Sequence, residues 1–107
     1  MTVKGCLVLL ACAALPAWAA ADDPARPRDP AAIVKDTCIL CHGPGIGGAP
    51  KMGDARAWEK RTVRGLDNLV RTAESGKGAM PPRGGMPDLT AEELRAAVAY
   101  LSGLAPR

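Results

Sequence analysis

The chain has no phenylalanine, one tyrosine, two tryptophans and a single histidine in 107 residues. Trp18 lies in an apolar leader, which leaves Trp58 and Tyr100 as the rings of any folded domain. A domain this small buries too little surface to be secure on so little bulk, so some further apolar body must complete its core. After the leader only Cys38 and Cys41 remain, and with His42 they fall short of the four ligands of a structural zinc site. No segment alternates polar and apolar residues as a strand would. No apolar run is long enough to span a membrane. A formal charge of +3 with 3% aromatic residues is not the footprint of a nucleic-acid binder. No acid–base pair or nucleophile constellation supports hydrolytic or transferase chemistry on a small-molecule substrate.

The first 21 residues read as a secretory signal peptide. Lys4 supplies the positive start, residues 6–15 form a short uncharged apolar run, and Ala17, Ala19 and Ala21 suit signal peptidase. Cleavage after Ala19 or Ala21 would release the domain into the periplasm. In a second processing route, Leu9-Leu10-Ala11-Cys12 acts as a loose lipobox and anchors the protein through a lipid on Cys12. Residues 22–29, rich in proline and charge, read as a flexible lead-in to a domain over residues 30–107.

Cys38-Ile39-Leu40-Cys41-His42 carries the chemistry. Two thiols two residues apart, followed at once by an imidazole, form the C-x-x-C-H pattern of covalent haem attachment. Each thiol adds to one vinyl group, and the imidazole becomes the proximal iron ligand. The pattern predicts one haem c joined through Cys38 and Cys41, with His42 on the metal. A buried haem also supplies the missing apolar bulk, so the protein without it should be largely unfolded. A thiol oxidoreductase would use the same cysteine pair, but it needs strands and a larger core. The Gly43, Gly45, Gly48 spacing imitates a dinucleotide fingerprint without the flanking strand and helix that would give it meaning.

Helical periodicity organises the rest. Asp29 as N-cap and Pro30 at the first position open a helix to about Leu40, stopped by Gly43. Asp54 caps a short helix to about Thr62. Leu66, Leu69, Val70 and Ala73 predict a third helix ending at Gly76. Thr90 and Glu93 form a capping box for a last helix to about Ser102, closed by Gly103. With no second histidine, a methionine is the natural sixth ligand. Met80 and Met86 each precede a proline, which biases them to extended backbone, so local physics leaves both open. Met52 reads as packing near the proximal side.

In Cys38-Ile39-Leu40-Cys41-His42-Gly43, Gly48-Ala49-Pro50-Lys51-Met52-Gly53-Asp54, Trp58, the stretch from Gly76 through Met80-Pro81-Pro82 to Gly85, and the last helix to Tyr100-Leu101, the chain resembles class I c-type cytochromes. The likeness is strongest to the small bacterial cytochrome c5 family, although the second cysteine pair of many of its members is absent. The resemblance implies an all-α fold of three to five short helices around one covalent haem. It implies Met80 as the axial ligand and the Pro50 carbonyl as the acceptor for the free ring nitrogen of His42. Trp58 either offers its indole N–H to a haem propionate or serves simply as core. Arg61 and Arg64 are candidates to pair with propionates or simply face water.

The function expected is that of a periplasmic electron carrier, not an enzyme. It would pass single electrons through a His42/Met80-ligated iron, as a monomer that meets redox proteins transiently. Lys51, Lys77 and Arg83 are candidate docking charges. The alternative is a haem domain with a labile sixth site that binds small ligands or does redox catalysis.

Overall fold

The computed structural model describes residues 2–5, 7–14 and 25–105. The expected cleavage positions Ala19 and Ala21 lie outside the described residues, as do Cys6 and residues 22–24. Among the described residues no helix is long and apolar enough to cross a membrane.

Helix α1 occupies residues 30–42 in three segments: α over Pro30–Ile33, π over Val34–Cys38, and α again over Ile39–His42. Pro30 opens it as expected. Asp29 stands at the N-cap with extended backbone, but its side chain makes no capping hydrogen bond. Its carbonyl serves instead, accepting from Ile33 N–H at 3.1 Å. A π segment re-aims the side chains that follow it and often lies at a functional site; here it ends at Cys38. The helix runs past Leu40 to His42, so both cysteines and the histidine ride on its last turns.

Helix α2, Ala55–Thr62, starts where the Asp54 carboxylate accepts Ala57 N–H at 3.1 Å. Helix α3, Leu66–Ser75, ends at Gly76. Helix α4, Ala91–Ser102, carries the expected capping box: Glu93 N–H donates to Thr90 Oγ1 at 3.1 Å, and Thr90 N–H donates to the Glu93 carboxylate at 3.3 Å. Gly103 closes it in the left-handed conformation. Two short 3₁₀ turns, Ile46–Gly48 and Pro82–Gly85, complete the regular structure. No strand occurs among the described residues, only an isolated bridge between Lys77 and Met80. The expected all-α architecture is therefore what the chain adopts.

The core joins Ile33 and Val34 of α1, Trp58 of α2, Ala73 of α3, Leu89, and Leu94, Ala97 and Leu101 of α4. Two of these eight are alanines, so burial at about 1.5–3 kcal/mol per large side chain yields little. Cys38, Met80 and Met86 are partly buried and pack against this cluster, which places the candidate chemistry beside the core.

The lead-in is tied down at its far end rather than free. Arg28 donates through Nη2 and Nε to the Glu93 carboxylate at 2.6 and 3.1 Å, through its backbone N–H to the same group at 3.1 Å, and through Nη1 to Asp88 at 3.1 Å. These bonds, chiefly the one from the Arg28 side chain, hold the buried Glu93 carboxyl at about 2 instead of 4.5. One carboxylate thus caps α4 and fastens the entry to α1.

Candidate haem site

The last turns of α1 present a half-buried Cys38, an exposed Cys41 and a buried His42, 8% accessible. Both thiols are free, and burial pushes the Cys38 thiol upward. The Nδ1 atom of His42 lies 2.8 Å from the Pro50 carbonyl, which can only accept. Nδ1 therefore carries the proton and Nε2 keeps its lone pair, the tautomer a metal ligand needs.

The segment holding Pro50 is fixed on both sides. Met52 N–H donates to the His42 carbonyl at 2.7 Å, and Trp58 Nε1–H donates to the Lys51 carbonyl at 3.0 Å. The Trp58 indole stacks on the His42 ring, with centroids 5.6 Å apart and planes inclined by 22°. The reading of Trp58 as a propionate donor is thereby corrected: its one N–H is committed to the backbone. Its contribution is to core packing, to the cavity wall and to the setting of His42.

The second loop carries Met80. Lys77 and Met80 exchange backbone hydrogen bonds at 3.0 and 2.9 Å, and Pro81 and Pro82 follow. A Cβ built on Gly76 would lie 2.8 Å from the Met80 carbonyl oxygen, and one on Gly47 would lie 2.9 Å from the Ala79 Cβ. Only glycine lets the two loops close this tightly. Between them and the core lies a cavity of about 380 Å³ whose wall includes Cys38, Cys41, His42, Pro50, Trp58 and Met80. Its size falls in the range of about 300–1,000 Å³ usual for cofactor sites. Those six residues, read from the sequence as cofactor-binding, share this one cavity.

Met86 also lines this cavity, but its sulfur accepts a hydrogen bond from Thr37 Oγ1 at 2.7 Å. Thr37 had no signal in the sequence beyond its position one residue before the first cysteine. Arg61 reaches the wall and donates to the Ala57 carbonyl of its own helix at 2.6 Å, while Arg64 is exposed and does not line the cavity. Lys51 and Lys77 are exposed, as docking charges should be. Arg83 is not one of them: its guanidinium turns inward to the Leu89 carbonyl and the Glu74 carboxylate.

Two thiols on one helix end, an imidazole tautomer suited to metal, a thioether loop and a largely apolar cavity all fit a covalent haem. A family model described as cytochrome C oxidase, cbb3-type, subunit III matches residues 25–101. Cytochrome c5 of Ectopseudomonas mendocina is 46% identical over 74 residues, which are 67% of this chain and 85% of that protein. Cytochrome c-555 of Chlorobaculum thiosulfatiphilum is 41% identical over 71 residues, 63% of this chain and 83% of that one. A mono-haem ferrocytochrome c from Shewanella putrefaciens superposes with a TM-score of 0.65 at 41% identity, over 73% of this chain and 96% of that one. A cytochrome c solved in an electron transfer complex with nitrite reductase gives a TM-score of 0.67 at 40% identity, over 76% and 100%. The chain belongs to the small class I c-type cytochromes, and is a monohaem electron carrier whose haem c is attached covalently at the Cys38 and Cys41 pair.

Proposed function

We propose that His42 and Met80 are the two axial ligands of the haem iron. We further propose that the carrier works in the periplasm after loss of residues 1–21, as a monomer formed by residues 30–107. The observation that carries the ligand assignment is a contrast between sulfurs. Met86 is engaged by the Thr37 hydroxyl, whereas Met80 sits in a loop stiffened by two prolines and a glycine contact. Stiffness matters because thioether is a weak ligand and is best kept on a metal by a loop that has nowhere else to put it.

Bound haem supplies one-electron chemistry, and a His/Met pair raises its potential relative to other axial sets. The chain's own residues do the rest. The Pro50 carbonyl orients the His42 ring and increases its basicity. Leu94, Ala97 and Leu101 keep water from the inner wall. Lys51 and Lys77 give the surface near the cavity a local positive charge that favours brief docking with an acidic face of a redox protein. The structural relative solved with nitrite reductase supports an enzyme of that redox type as one partner.

The test is a pair of variants. Met80→Ala should abolish the low-spin His/Met spectrum while Met86→Ala preserves it; the reverse pattern would move the ligand role to Met86.

A further inference from the structure

Helix α2 has two faces of opposite character. Trp58 is buried in the core, whereas Arg56, Lys60, Val63 and Arg64 are all exposed. At 3.6 residues per turn, positions 56, 60, 63 and 64 fall on the side of the helix away from position 58. Val63 continues the helical backbone past Thr62, with φ −57° and ψ −27°, so the stripe reaches the helix end. Residues 55–65 hold four cations, Arg56, Lys60, Arg61 and Arg64, against one acid, Glu59.

The cations of this stripe differ from those elsewhere in the fold. Arg28, Arg83 and Arg95 are each held by a carboxylate, while Arg56, Lys60 and Arg64 enter no ion pair among the described residues. Between them Val63 keeps 79% of its surface exposed. None of the four lines the cavity, which Trp58 separates from them. A protein that exchanges electrons with a haem there has to approach the cavity, and this stripe is no part of its wall. Unpaired cations around an exposed aliphatic side chain match the chemistry of an anionic phospholipid surface. Lipid phosphates meet the guanidinium and ammonium groups, and the methyls enter the boundary between headgroups and acyl chains.

We propose that the outer face of α2 rests on an anionic phospholipid surface through Arg56, Lys60 and Arg64, with Val63 entering the interface. The carrier would then move between partners along a membrane, with its cavity left open to them. This goes beyond the carrier reading and does not depend on which methionine binds iron.

The experiment is cosedimentation of the haem-loaded protein with vesicles of mixed phosphatidylglycerol and phosphatidylcholine, and with vesicles of phosphatidylcholine alone. The parent should bind the first and not the second, and should be released as salt rises. Each cation at such a surface contributes about 1 kcal/mol, or about fivefold in binding. The double variant Arg56→Gln/Lys60→Gln should therefore bind about 25-fold more weakly. Lys35→Gln/Arg71→Gln removes the same charge elsewhere on the surface and should lose far less. Val63→Ser should weaken binding about threefold. A parent that ignores phosphatidylglycerol would overturn the proposal. So would equal losses in the two double variants, which would mark net charge alone. In vesicle-free solution Arg56→Gln/Lys60→Gln should keep the parent's electron-transfer rate with an acidic redox protein such as a flavodoxin. A tenfold slowing there would give the stripe to a protein partner instead. Spin-labelled lipid should broaden the Val63 methyl resonances of the unsubstituted parent, and their persistence would refute the contact. Covalent haem staining reports the cofactor separately, so failure of the haem reading would be recognised on its own.

Discussion

Trp58 stacks on His42 while its indole N–H holds the carbonyl of Lys51, the residue after the one that orients the His42 ring. One aromatic side chain thus acts on the candidate proximal ligand twice, through its face and through the backbone beside it. In a chain this poor in rings, Trp58 joins α2 to the end of α1 and gives the thin core its largest side chain.

Trp58→Ala should therefore destabilise the haem-loaded protein by about 3–5 kcal/mol, as large core truncations do. Trp58→Phe keeps a ring against His42 but loses the indole's extra volume as well as the hydrogen bond, so it should cost less than the alanine, about 1–3 kcal/mol. Urea unfolding followed by tryptophan-independent circular dichroism separates the two. Equal losses would mean that the Lys51 bond, not the packing, is what matters.

The Arg28–Glu93 clamp makes part of the stability sensitive to acid. The folded protein holds the Glu93 carboxyl at about 2, below the ordinary 4.5, chiefly through the Arg28 side chain. A depressed carboxylate value stabilises the fold above the ordinary value. That contribution disappears as pH falls from about 4.5 towards about 2. Glu93→Gln should be less stable than the parent at neutral pH, and the difference should narrow across that window. A constant gap between the two curves would contradict the clamp.

Gly76 sits at φ +79° and ψ 161°, a region open almost only to glycine, and a Cβ there would meet the backbone of Met80, Pro81 and Pro82. Gly76→Ala should cost at least about 1–3 kcal/mol from conformation alone and displace the Met80 loop. Gly53→Ala also has a positive φ, +83°, but nothing lies within 4 Å of the added carbon. It should lower stability without disturbing the spectrum. Loss of the thioether band in Gly53→Ala as well would show that strain, not contact with the loop, governs the ligand.

Charge reversal at Lys51 or Lys77 should slow electron transfer to an acidic partner by about tenfold at low ionic strength. The difference should fade as salt screens the encounter. Stopped-flow rates across a salt series measure it. Arg83, turned inward, is excluded from this group, and a salt series insensitive to both lysines would remove the docking role.

Much of this architecture is legible in local sequence. The Cys38/Cys41/His42 pattern, the Asp54 cap, the Thr90/Glu93 box and Gly103 each act within a few residues, so short-range physics suffices. What escaped depends on distant partners. Arg28 reads as part of a flexible lead-in until Glu93, 65 residues away, is seen beside it. Arg83 reads as a surface charge because nothing nearby in sequence announces a left-handed backbone outside glycine. Asp29 looks like a cap, yet its side chain goes unused because its carbonyl already closes the first turn. The π segment has no sequence mark at all. Met80 and Met86 each precede a proline, and the Thr37 hydroxyl that engages the Met86 sulfur comes from 49 residues away, beyond the reach of local rules.

The central claim is tested most directly by the optical spectrum of the purified haem-loaded protein, oxidised, then reduced, then exposed to carbon monoxide. The account predicts low-spin bands in both states, a weak far-red sulfur-to-iron band when oxidised and no response to carbon monoxide. A high-spin spectrum that shifts on adding the gas would contradict it, and would make this a haem domain with an open sixth site.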